Sequence, residues 1–388
     1  MSTLENASDW SPYAPIRMRD QLWWQYAILA GKAGHITADG MIDQSLPDMI
    51  EENLLSTYAL AFNEEVKDKP DAGHLNGVHM SKLMQFRHWV PLAAQYELCG
   101  RQIFDFDDEL VTLLRNTDLG ECTLEGWHRP YEAFFIRFGK QDDIKIPFDD
   151  DGFEYVDGAY IACTPFASDD SEAFRLKIGF STCKHDGRGV MLPGYFIDFQ
   201  PHEQKMLVVD AIDAALARKL AEIEGDDDDS DFVQALNSHR RQELADSISL
   251  LRDGATLLVN SLFYLESLGA TIPSPVPGRD TPPTRVTKWA QSTPVQRNKQ
   301  RSALTADGYA VVRLVGQELH DAGTGAPHSG TVRRSHWRRG HWRWQRHGAN
   351  LSERRRIWIK PVMVGVDAAS DSEIPGHIYA TANSDRLQ

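Results

Sequence analysis

"YEAFFIRFG", residues 131–139, is where the period of the chain changes. Phe134, Ile136 and Phe138 alternate with Phe135 and Arg137, the two-residue repeat of a strand rather than the 3.6-residue repeat of a helix. The residues that follow keep this repeat. In "FRLKIGF" (174–180), Phe174, Leu176, Ile178 and Phe180 share one face and Arg175 and Lys177 the other. "GFEYVDGAYIACT" (152–164) carries a hairpin signal at Asp157–Gly158, and "GYFIDFQ" (194–200) is a fourth strand. Such alternation predicts an antiparallel sheet with one covered face.

Before this stretch the pattern is helical. "DQLWWQYAILAGKAG" (20–34) places Leu22, Tyr26 and Leu29 on one face, with Trp23–Trp24 read as core, and residues 48–62 and 79–98 continue in the same manner. After it, two helices flank "EGDDDDSD" (224–231), a run too charged to pack and read as a flexible loop. In the second helix, 231–268, Leu244, Ile248, Leu251, Ala255, Leu258, Leu262 and Leu265 step by four and three. That stripe faces a core or, alternatively, forms a homodimer seam. "TIPSPVPGRDTPPTR" (271–285) then opens a proline-rich linker, and "GYAVVRLVG" (308–316) begins a β-rich C-terminal part. The expected class is α+β: a helical region 1–120, an α+β body 121–271 with its acidic loop 224–231, a linker 272–304 and a small basic β module 305–388.

Charge divides the chain in the same place. The 388 residues carry a net −15, yet residues 279–360 hold 17 Lys and Arg against 5 Asp and Glu, a net +12. Residues 1–278 hold 23 against 47. An acidic body with one basic part suggests a polyanionic partner for that part, or docking of the part onto the body itself. Cys99, Cys122, Cys163 and Cys183 form no CxxC pair and read as reduced thiols of a cytoplasmic protein. No secretory layout opens the chain and no apolar run reaches the ~20 residues that span a bilayer, so no membrane partner is expected. Asp149–Asp151 lack calcium-loop spacing, and no glycine-rich phosphate loop occurs; neither a metal nor a cofactor is expected.

Within the basic part, "TVRRSHWRRGHWRWQRHG" (331–348) concentrates six arginines, three tryptophans and three histidines. Strict alternation puts His336 and His341 on opposite faces. One β-bulge at Arg339–Gly340 would shift the register and gather Trp337, Trp342 and Trp344 inward. His336, Arg338, His341, Arg343, Gln345 and His347 would then face outward. Arg354, Arg356 and Lys360 of the next strand would extend that face, with Ile357 and Ile359 in the core. Arginine forks pair with phosphate oxygens, so Arg334, Arg338, Arg343, Gln345, His347, Arg354, Arg356 and Lys360 are nucleic-acid-binding candidates. His336 and His341 are candidates for metal-independent acid–base cleavage of RNA. A purely structural cation–π ladder is the third reading.

"VRRSHWRRGHWRWQRHG" (332–348) with "RRRIWIKPVMVG" (354–365) also resembles the C-terminal signature of a family carried on phages and plasmids. In it an HxRxxHW strand precedes a basic strand ending in W-x-x-P. His336, Arg338, His341, Trp342, Trp358 and Pro361 carry the resemblance, which is specific over residues 333–364 and looser over 130–200 and the helix before the linker. The family includes the type V-A anti-CRISPR protein that acts on synthesis of the CRISPR effector nuclease. The resemblance implies recognition of a target's nascent peptide at the ribosome and loss of the mRNA being translated. A general nucleic-acid-binding protein or ribonuclease toxin, and a structural or protein-interaction protein, stay as alternatives.

Overall fold

The computed structural model describes residues 11–19, 24, 28, 89–148, 152–165, 174–186, 196–224, 231–317 and 336–364. Leu22, Tyr26, Leu29, residues 48–62, the aspartates 149–151, most of the acidic loop and Arg334 lie outside them. In chain order the first elements are α1 (Ala14–Met18), a helix over 89–98 (α2), β1 (Gln102–Phe106), α3 (Asp108–Arg115) and β2 (Thr117–Asp118). Next come β3 (Ala133–Arg137), β4 (Lys145–Phe148), β5 (Gly152–Pro165), β6 (Phe174–Cys183), β7 (Phe196–Phe199), α4 (Val208–Glu224) and α5 (Asp231–Leu268). The remainder are β8 (Val276–Pro277), α6 (Pro283–Ala290), α7 (Pro294–Ala306), β9 (Val311–Val315), β10 (His336–Arg338), β11 (Gly340–His347), β12 (Glu353–Ile359) and β13 (Val362–Val364).

β3, β5, β6 and β7 pair successively and antiparallel, as residues 131–200 predict. The sheet then grows in a way the alternation does not reveal. β1 pairs in parallel with both β3 and β9, giving the order β7-β6-β5-β3-β1-β9-β8 with β4 on β5. The fold is α+β around a mixed sheet. A central strand, "QIFDF", therefore lies inside the stretch expected to be helical. Five residues abutting an amphipathic helix are too short a run to show a period of their own.

Both faces of the sheet are covered, not one. Phe134, Ile136 and Phe138 enter a core shared with α3, α4 and α5, while Ala133 and Phe135 enter a second core with Tyr13, Trp24 and the α2 residues Trp89 and Leu92. Two-sided burial explains why Phe135 stands where a polar residue would on a half-exposed strand. The α5 stripe from Leu244 to Leu265 lies in the first core, so the chain itself occupies it.

Asp157–Gly158 is not a turn. It sits inside β5 at a register shift between Val156 and Gly158. Asp157 is buried, ion-paired to Arg17 of α1 and hydrogen-bonded by Ser181 Oγ at 2.6 Å. A Cβ on Gly158 would lie 2.3 Å from Phe135 Cζ and 2.6 Å from the Ile136 carbonyl oxygen, so the glycine permits close approach of β3. The expected linker is likewise structured. Pro283 and Pro294 open α6 and α7, and Thr293 and Gln296 form a capping box at the second. Proline at the first helical turn starts a helix because its missing N–H has no partner there anyway. β9, expected in a separate basic module, belongs to the main sheet.

Candidate nucleic-acid interface

The arginine–tryptophan strip forms the first strands of a long antiparallel pairing. β11 pairs with β12 from His341↔Ile359 to His347↔Glu353, and β10 pairs with β13 from Arg338↔Val362 to His336↔Val364. From Arg338 to His341 one strand advances three residues while its partner retreats three, from Val362 to Ile359. No residue is inserted, so the expected bulge is absent. The register shift that was to bring positions 336 and 341 onto one face is absent with it. The ladder breaks at Arg339 for another reason: Pro361, opposite, has no N–H to donate. Gly340 instead lets three segments meet. A Cβ there would lie 2.6 Å from Pro361 Cδ and 2.7 Å from Thr117 Oγ1, and the Gly340 N–H donates to the Asn116 carbonyl at 3.1 Å. β11 pairs there in parallel with β2, in register His341↔Asp118.

Alternation from Gly340 onward sets two faces. On the inner one, Trp342 is buried against α5: its Nε1–H donates to Asn260 Oδ1 at 2.7 Å, and its ring meets Phe263 edge-on at 5.7 Å. Trp358, opposite, stacks on Trp342 at 6.2 Å and donates to Thr117 Oγ1 at 3.0 Å. The next pair is Trp344 and Arg356. Arg356, expected on the outer basic face, is only 4% exposed. It donates to Glu266 Oε2 at 2.6 Å and to the Thr123 carbonyl at 3.1 Å, with its guanidinium 3.5 Å above the Phe263 ring and 4.8 Å from the Trp344 ring. Burial pulls its pKa down and Glu266 opposes that. Trp344, expected in the core, is 50% exposed. Arg346 and Arg354 complete this face, opposite one another and exposed.

The outer face carries His341, Arg343, Gln345 and His347 opposite Ile359, Ile357, Arg355 and Glu353. Ile357 and Ile359 are half-buried on this face rather than in the core. Arg355 is exposed here, opposite Gln345. His347 Nδ1 lies 3.4 Å from Glu353 Oε2. Arg338 and Lys360 are exposed at the junction, and His336 is described as a strand position only. The structure thus brings together His341, Arg343, Gln345 and His347, adds Arg355, and places Arg354 and Arg356, both expected on this face, on the inner one. Among the described residues, Arg356 alone of the β11–β12 cations pairs with the acidic body, so docking onto that body does not neutralise the rest. Guanidiniums held this way are fitted to phosphate or carboxylate oxygens. Among the described residues no group of three or more His, Cys, Asp or Glu could hold a metal, and no helix is long and apolar enough to cross a membrane.

The crystal structure of AcrVA2 is similar at 14% identity, covering 80% of this chain and 94% of that chain with a TM-score of 0.33. Comparison with curated proteins finds no match. Residues 104–366 match the AcrVA2-like family, described as anti-CRISPR type V subtype A2. That match runs from the first strand of the sheet through the whole of the basic hairpin, more than half of the sequence, and the chain belongs to the AcrVA2-like anti-CRISPR family.

Proposed function

We propose that this protein lowers expression of a specific target during translation, recognising the nascent peptide and promoting loss of its mRNA, with the β11–β12 hairpin as its RNA-facing element. Membership of an anti-CRISPR family supports a role against one defined target. One observation carries the RNA-facing assignment. Arg343, Arg346, Arg354, Arg355 and Lys360 are all exposed, and none of their side chains makes a hydrogen bond or ion pair with the described residues. Free cations on a hairpin anchored by Trp342, Trp358 and Arg356 are a preorganised phosphate-binding surface. The role is binding rather than cleavage, because the unshifted register gives no support to a His336–His341 acid–base pair.

RNA sequencing of cells expressing the wild type, His341→Ala or the double variant Arg343→Gln/Arg355→Gln tests this reading. The wild type should deplete one message together with its product, and the double variant should leave that message intact. General RNA decay would indicate a ribonuclease toxin. An unchanged RNA population would indicate a protein partner instead.

A further inference from the structure

The inner face of the hairpin runs from dry to wet. Trp342 and Trp358 are packed on α5, Trp344 is half-exposed beside the buried Arg356, and Arg346 and Arg354 stand in solvent beyond them. Two features of this outer end are unexplained by folding. First, Phe263, the Arg356 guanidinium and Trp344 form a stack, with the cation 3.5 Å from one ring and 4.8 Å from the other. It ends on a tryptophan that remains 50% exposed. Second, Arg346 and Arg354 are directly opposed across the ladder with no carboxylate partner among the described residues. Like charges in that position repel and destabilise a hairpin.

We propose that Trp344, Arg346 and Arg354 form a site for an unpaired nucleotide, the base extending the Phe263–Arg356–Trp344 stack and its phosphate lying between the two arginines. An anion there would offset the repulsion that the free protein bears. An exposed aromatic ring suits unpaired bases, because those of a duplex already have their faces covered. The site lies on the face opposite His341, Arg343 and Arg355. The choice of RNA over DNA rests on the function proposed above; the stack and the arginine pair do not depend on it.

Fluorescence anisotropy with the full chain tests the site. The probes are a labelled oligouridine, an abasic RNA of equal length and charge, and the corresponding oligothymidine pair. The wild type should bind oligouridine about 5- to 150-fold more tightly than the abasic chain. Trp344→Leu should erase that preference and Trp344→Phe should keep most of it. Arg346→Gln should weaken oligouridine binding and yet raise the melting temperature of the free protein, a pair of effects that a purely structural arginine would not produce. Equal binding of base-bearing and abasic chains by the wild type overturns the proposal, as does an intact preference in a folded Trp344→Leu. If Trp344→Leu does not fold, the wild-type comparison decides alone. Failure of the function proposed above looks different: no RNA is bound, while the thymidine and abasic DNA pair still reads the site. A base preference that survives Arg343→Gln/Arg355→Gln locates it on the inner face.

Discussion

Arg356 carries a guanidinium into a space that is 4% exposed, held by Glu266, the Thr123 carbonyl and the Phe263 ring. Glu266 is 90 residues away in sequence, so nothing local marks this arginine apart from Arg354 and Arg355. Beside two isoleucines, alternation places the isoleucines inside; the partly buried Glu266 carboxylate reverses that choice. Removing one partner of a buried ion pair leaves the other charge stranded, so Arg356→Ala should destabilise the fold by about 3–5 kcal/mol. Trp342→Ala should cost a similar ~3–5 kcal/mol, since it removes a buried ring and strands Asn260 Oδ1. Arg343→Ala, exposed and unpartnered, should stay within about ±0.5 kcal/mol. Urea unfolding of the three variants measures all of this; a loss above about 2 kcal/mol at Arg343 would show that the outer face is packed.

At the scale of elements, glycine and proline decide how segments meet. Gly340 sits where β11, β2 and the segment at Pro361 between β12 and β13 converge, and an added methyl would collide with Pro361 Cδ and Thr117 Oγ1. Gly340→Ala should therefore cost about 1–3 kcal/mol. It should also loosen the hairpin from β2, which hydrogen exchange would detect as faster exchange of the Gly340 and His341 amides than of those in β5 and β6. Unchanged exchange there would mean that the contact yields without cost. The sequence marks Gly340 as special but suggests a bulge, because glycine serves bulges and close approaches alike. Asp157–Gly158 misleads in the same way, a turn signal spent inside a strand.

For the whole molecule, the opposition between an acidic body and a basic hairpin determines how binding responds to salt. The body's charge does not help an RNA approach, so affinity depends on local contacts. If the five exposed cations Arg343, Arg346, Arg354, Arg355 and Lys360 each meet a phosphate, log affinity for single-stranded RNA should fall with log salt at a slope of about −3.5. That is a loss of about 100-fold between ~50 and ~200 mM salt. The full chain is the right subject, since β9 of the basic region is a strand of the central sheet. A slope near zero would remove phosphate contact as the basis of binding.

Periodicity by itself determined the strands β3, β5, β6 and β7, their antiparallel succession and the buried stripe of α5. These are local properties, written within one element or between neighbours. The C-terminal motif likewise carried the family resemblance in its own residues. Only the tertiary structure decided what depends on distant partners: β1 and β9 joining the sheet in parallel, the second core over its other face, Arg356 inward and Arg355 outward. The physical reason is that a strand's period is set by its own backbone. Which of its faces is buried is set by whatever packs across from it, here Asn260, Phe263 and Glu266 of a helix some 80–90 residues earlier in the chain.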